Sequence, residues 1–189
     1  MRNILLILFF FATLGMGAAN SDTEVAPWSR IGFSGAGGIA SATPFDKSSI
    51  QRAFPDARIV ESEVYTYGET LNGFHVYFED HAEPLYEVYP DHTREFVFAI
   101  FSTSPVVIGP NKSKIGETNY KELRDLEEWE TCGWGYEELS NTLICYGTSV
   151  RVMFVAPEDF KQNFSDAPQS VQDRGVLSEI MYWPGRPRQ

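Results

Sequence analysis

The sequence predicts an α+β protein: a mainly antiparallel β-sheet with two or three short helices packed on it and one disulfide. Three observations predict this. Runs of β-branched and aromatic residues recur at strand length, each bounded by Gly, Pro, Asn or Asp. Two segments carry helical apolar spacing, the first of them preceded by a start signal. Two cysteines, Cys132 and Cys145, sit in a chain that opens with an export signal.

In chain order, residues 1–19 read as a cleavable signal peptide. Arg2 supplies the positive start, Ile4 to Leu14 the apolar stretch, and Gly17-Ala18-Ala19 the small residues for cleavage after Ala19. The apolar stretch is well short of the roughly 20 residues a spanning helix needs, so no stable membrane insertion is expected after cleavage. Residues 20–30 are polar, contain Pro27 and read as a linker. Residues 31–187 then form one envelope domain, long enough for a substantial core.

Within that domain, Gly32 to Ala40 reads as a first strand that its glycines allow to bend or to approach a neighbour closely. Thr43-Pro44-Phe45-Asp46 fits a capping box, which starts a helix that buries Ile50, Ala53 and Phe54 and stops at Pro55. Strands follow at Ala57 to Tyr67, Leu71 to Asp80, Pro84 to Pro90 and Glu95 to Ser102. Gly73 marks a weak point or bulge in the second of these. Glu95 to Ser102 is continuously apolar, which suits a strand covered on both faces. A second helix at Asn119 to Trp129 places Tyr120, Leu123 and Leu126 on one stripe. Asn141 to Gly147 and Ser149 to Val155 make a strand pair around Gly147-Thr148, and a third short helix lies at Glu158 to Phe164. Val176 to Trp183 is the last strand. A composition of 43% hydrophobic residues with 14 phenylalanines suffices to cover such a sheet.

The net charge is −11, and without residues 1–19 it is −12. An acidic chain without basic runs argues against nucleic acid and against an anionic membrane surface as general partners. In an exported chain an even cysteine count favours the Cys132–Cys145 disulfide over a zinc site or a catalytic thiol. It would close a loop of about 14 residues.

Motifs that could carry chemistry fail on context. Gly35-x-Gly37-x-x-Ala40 resembles a dinucleotide fingerprint, but the helix starts near Thr43, too late to meet a phosphate. Gly32-Phe33-Ser34-Gly35-Ala36 is one residue from a nucleophile elbow, and Ala36 breaks it. Metal candidates are His75, Asp80, His81, Asp91 and His92, with polar strand ends as the plainer explanation. Carboxylate pairs such as Glu61/Glu63 are inevitable among 26 acids. Tyr65, Tyr67, Tyr77, Tyr86 and Tyr89 alternate on strands, as core or as an exposed binding face. The disulfide-closed segment holds Trp134 and Tyr136 as a candidate binding loop. No catalytic residues and no cofactor are expected.

Three further features, taken in order, carry a family resemblance. They are Gly35 to Pro55 ("GAGGIASATPFDKSSIQRAFP"), Ile115 to Leu123 ("IGETNYKEL"), and the cysteine pair followed by "LSEIMYWPGRP". In this order and total length the chain resembles the RpoE-regulated lipoprotein family of Gram-negative bacteria. The resemblance covers Ile31 to Pro187. Members carry a lipobox cysteine at the cleavage site, where this chain has Gly17-Ala18-Ala19-Asn20. The resemblance therefore implies an envelope domain that is free in the periplasm rather than anchored. It brings no catalytic residues.

The expected function is a non-enzymatic periplasmic protein of the cell envelope, a binding or accessory module for an envelope protein or small ligand. The alternatives are an envelope hydrolase, metal- or carboxylate-dependent, and an inhibitor of a secreted lysozyme-like enzyme, for which an acidic surface would complement a basic target.

Overall fold

The computed structural model describes residues 27–66, 69–79 and 81–184. The expected signal at residues 1–19, the expected linker up to residue 26, Tyr67, Asp80 and residues 185–187 lie outside the described residues.

Ten strands and three helices are present among them. A two-residue hairpin, β1 (Ile31–Gly32) and β2 (Gly35–Ala36), precedes α1 (Lys47–Ala53). A meander follows: β3 (Arg58–Thr66), β4 (Glu69–Tyr77), β5 (Tyr86–Pro90) and β6 (Val97–Ser102). After α2 (Tyr120–Leu123) comes a second meander of β7 (Trp129–Trp134), β8 (Leu143–Gly147) and β9 (Val150–Val155). Then α3 (Gln169–Gln172) leads to β10 (Val176–Tyr182). The large sheet has eight strands in the order β3-β4-β5-β6-β10-β9-β8-β7, every adjacent pair antiparallel. The last strand therefore enters the middle and joins the two meanders.

Period-2 alternation sorts the side chains into two rows across the sheet. Phe74, Val88, Ile100, Tyr182 and Val150 are register partners in sequence across five strands, and all are buried. This face meets the N-terminal segment and α1, where Phe54 stacks on Tyr86 at 5.3 Å and Trp28 stacks on Phe78 at 4.0 Å. One position along, the opposite face carries His75, Glu87, Phe101, Met181, Arg151 and Tyr146 as a matching row. A smaller apolar cluster of Val64, Tyr89, Ala99 and Met181 covers part of it.

The first helix begins later than its sequence predicts. Asp46, not Thr43, is the N-cap: its Oδ1 accepts from the Ser49 amide at 2.9 Å. Thr43 instead closes a turn, accepting from the Ala40 amide and donating to the Ala40 carbonyl. Hydrogen bonds from the Ser48 and Ser49 hydroxyls and the Ser49 amide hold the Asp46 carboxyl down to about 2. A depressed acid stabilises above its unfolded value, and that stabilisation is lost as pH falls through the folded value. Asp46→Ala is thus expected to lower Tm at neutral pH and to flatten the acid limb below about pH 4. Asp46→Asn should keep Tm near the parent value at neutral pH, as followed by circular dichroism.

The second helix is a single turn. Leu123 is buried as expected, but its carbonyl accepts from the Trp129 indole at 2.6 Å. Trp129 then opens β7, an edge strand that sequence periodicity does not reveal. The helix predicted at Glu158 to Phe164 is a turn region with a 3-10 segment at Phe164–Asp166, and α3 follows it. There the Asn141 Oδ1 accepts from the Phe164 amide at 2.5 Å, which draws the loop onto the core instead of winding it. Gly73 is not a bulge: its pairing with Ser62 stays in register. A Cβ there would stand 2.5 Å from Val64 and 2.8 Å from the Val88 carbonyl oxygen, so close packing explains the glycine. In β6, Val97, Ala99, Ile100 and Ser102 are buried, while Phe98 is exposed, so coverage of the two faces is incomplete.

The glycine-rich opening also resolves. Ten residues separate Gly37 from the first residue of α1, so no helix N-terminus meets the loop. Gly37 has φ +54°, and a Cβ would lie 2.0 Å from Phe54; a Cβ on Gly38 would lie 2.6 Å from the Ala53 carbonyl oxygen. These glycines let the hairpin rest on the end of α1.

Candidate functional site

On the second face, β5, β6 and β10 build a groove of about 350 Å³. Its walls include Tyr65, Tyr89 and Phe101, with Glu83, Glu87 and Glu179 as acids and no Lys or Arg. The register explains the grouping: Glu87 pairs with Phe101, Phe101 with Met181, and Glu179 lies two residues along β10 on that face. Tyr89 donates to Glu87 at 2.7 Å and its ring lies 4.6 Å from Phe101. Burial keeps the Tyr89 hydroxyl protonated, reinforced by the Glu87 carboxylate it donates to.

Glu179 is held by Arg151 from the neighbouring strand, Nη2 to Oε1 at 2.6 Å, with side-chain exposures of 18% and 8%. Burial raises the Glu179 carboxyl; Arg151 pulls it back and the nearby Glu87 charge pushes it further up. The Arg151 Nε is buried without a hydrogen-bond partner, and the guanidinium lies 5.6 Å from the Phe101 ring centre. Three carboxylates and an aromatic wall can hold a polar ligand with an apolar face, such as a sugar or an amine. Sequence reasoning missed Glu87, Arg151 and Glu179. A signal was present: "VRVMF" and "LSEIMY" each hold one charge inside an otherwise apolar strand.

The alternating tyrosines divide between the two expected roles. Tyr86 and Tyr89 are buried, Tyr77 is half-buried beneath the Arg58 guanidinium at 4.1 Å, and Tyr65 is 60% exposed.

Cys132 and Cys145 are bonded and lie directly opposite each other in the β7–β8 ladder. Beyond them the hairpin ends in a loop. Trp134 turns inward, edge-on to Phe164 at 5.2 Å. Tyr136 is 87% exposed, followed by exposed Glu137 and Glu138. The two members of the expected loop thus have separate tasks: one anchors the hairpin and the other stands in solvent.

The metal candidates are dispersed. His75 lies on the second face, its Nδ1 3.4 Å from the Tyr77 hydroxyl oxygen. His81 lies in the turn after β4, and His92 is exposed after β5. Asp91 is buried and serves its own turn, accepting from the Thr93 hydroxyl at 2.8 Å and the Glu95 amide at 3.1 Å. Among the described residues, no three His, Cys, Asp or Glu side chains are grouped to hold a metal ion. Asp80 lies outside them.

The arrangement of strands has a relative among solved structures. The fold is similar to that of the uncharacterised protein yfeY from Escherichia coli. The match has a TM-score of 0.60 and 14% identity, over 82% of this chain and 99% of that one. At that identity the likeness is one of fold. No family model matches the chain, and no curated protein matches it by sequence. Among the described residues no helix is long and apolar enough to cross a membrane.

Proposed function

We propose that the chain is a non-enzymatic accessory module of the cell envelope, exported to the periplasm, that binds a protein partner through the tip of the β7–β8 hairpin. The observation that carries this reading is Tyr136, an aromatic side chain 87% exposed on a hairpin tied by a disulfide. A tied hairpin presents its tip with little ordering cost on binding, and a tyrosine supplies large contact area with few rotatable bonds. Export rests on the N-terminal signal and agrees with the disulfide. Membership of the RpoE-regulated lipoprotein family belongs to the same proposal, supported by the three sequence features and by the shared fold with yfeY.

Glu137 and Glu138 follow the tyrosine, so a basic partner is favoured, and a secreted lysozyme-like enzyme is the specific version. Lysis of cell-wall substrate by a panel of basic lysozymes at low salt tests it. Inhibition by the parent protein that weakens about tenfold or more in Tyr136→Ala is expected, as for an interface anchor. Full lysozyme activity across the panel removes the inhibitor version. Capture of one envelope protein by the parent and equally by Tyr136→Ala removes the hairpin tip as the binding surface.

One observation favours a second reading. Glu87 and Glu179 share an aromatic groove, the raw material of a carboxylate hydrolase. Each is already engaged, by Tyr89 and by Arg151, which suits holding a ligand better than moving a proton. Turnover of a glycan substrate that disappears in Glu87→Gln would reverse that preference.

A further inference from the structure

A second cleft, of about 910 Å³, lies between the β1–β2 hairpin and the segment around residues 108–114. Its charged lining is Arg30, Lys112 and Lys114, with no Asp, Glu or His. In a chain with 26 acids and 15 bases, a cleft lined by cations alone stands against the composition. The backbone sets this up. Ile108 bridges to Arg30 on one side and to Lys114 on the other, so three extended segments run side by side. Directly bridged residues point to one face, which places Arg30 and Lys114 there, flanking Ile108 at about two strand spacings, roughly 10 Å. Lys112 follows at the bend, where Asn111 and Lys112 have φ of 51° and 60°. Lys114 also pairs with exposed Glu117 at 3.4 Å. Arg30 and Lys112 form no ion pair among the described residues. Ile31, Phe33 and Ile39 add apolar wall.

The geometry points to a binding site for an organic phosphate monoester in this cleft, a role separate from the hairpin tip. Arg30 and Lys112, with Lys114 shared with Glu117 outside the lining, match a group carrying close to two negative charges at neutral pH, and an arginine among them suits phosphate oxygens. The cleft is large enough for an organic moiety beside the phosphate, and its apolar wall gives that moiety a surface. Such an ester occurs free in solution and as a lipid headgroup, and the chemistry of recognition is shared.

Gly32 provides a clean probe. It lines the cleft, a Cβ there would meet nothing within 4 Å, and its backbone lies outside the left-handed region. Gly32→Glu therefore places a carboxylate at the cleft without a clash. The experiment titrates the purified, disulfide-bonded protein with glucose 1-phosphate by calorimetry at low salt, with glucose as the uncharged control. In parallel it measures binding to phosphatidylcholine vesicles with and without phosphatidic acid. Saturable binding in either arm is expected, weakened about tenfold or more by Arg30→Gln/Lys112→Gln and lost in Gly32→Glu, with unchanged circular dichroism and Tm. The arm that responds identifies the source of the ester. No binding in both arms, binding that the variants leave intact, or glucose bound as well as its phosphate overturns the site.

Discussion

Arg151→Met is expected to destabilise the fold by about 3–5 kcal/mol at neutral pH, because it leaves the Glu179 carboxylate buried beside Glu87 without a countercharge. Arg151 lies in β9 between buried neighbours and reaches Glu179 across the β9–β10 ladder. With the cation gone, the carboxyl should rise further, since burial and Glu87 already push it up. A carboxyl whose folded value is raised retains its contribution below the unfolded value and loses it as pH rises through the folded one. The deficit of Arg151→Met should therefore shrink on acidification towards about pH 4, the ordinary glutamate range. The double variant Arg151→Met/Glu179→Leu should recover most of the loss, because an apolar pair of similar volume removes both buried charges and the unpartnered Nε. Urea denaturation of the three proteins across that pH range is the measurement. A single variant as stable as the parent at neutral pH would show that water reaches Glu179 and that the groove is wetter than its burial indicates.

Removing the disulfide by Cys132→Ala/Cys145→Ala is expected to cost about 3 kcal/mol, the chain-entropy value for a loop of this length. The structure adds where the loss is felt. The bond crosses β7 and β8, and β7 is an edge strand paired on one side only. Without the link, the hairpin should fray from the tip inwards while the centre of the sheet persists at higher denaturant. Hydrogen exchange should show early loss of protection in β7 and near-parent protection in β10. Equal loss across all strands would mean that the sheet unfolds as one unit and that the hairpin has no independent freedom. The same variant bears on function, since a frayed tip would no longer present Tyr136 in a fixed place.

Most of the strands were legible because their signal is local. The runs that became β3 to β6 and β8 to β10 alternate or are continuously apolar, are rich in β-branched and aromatic residues, and are bounded by turn residues, so a short window suffices. The misplaced helix start shows the limit of such windows. Thr43 and Asp46 both suit a cap, and the choice was made by Val97, whose amide donates to the Thr43 carbonyl, the group that would otherwise accept the first helical bond. Trp129 to Trp134 carries one charge, a glycine and a cysteine, so its strand character comes from its partner β8 rather than from its own pattern. The disulfide required no geometry, only compartment and count. The split between Trp134 and Tyr136 required Phe164, 30 residues beyond Trp134, to be brought beneath the hairpin.

By itself, the sequence determined an acidic, β-rich domain with one disulfide and no coherent catalytic motif. Those properties follow from composition and from patterns a few residues long. Tertiary structure alone decided that β10 enters the middle of the sheet. That placement sets Glu179 beside Arg151 and Glu87, and packs Leu177 and Ile180 into the core. It also decided that Arg30 and Lys114, far apart in the chain, flank Ile108. The physical reason is the same in both cases. Strand pairing is chosen by the apolar area that a whole register buries, which no local window contains, and charges on the paired strands are carried into each other's company by that choice.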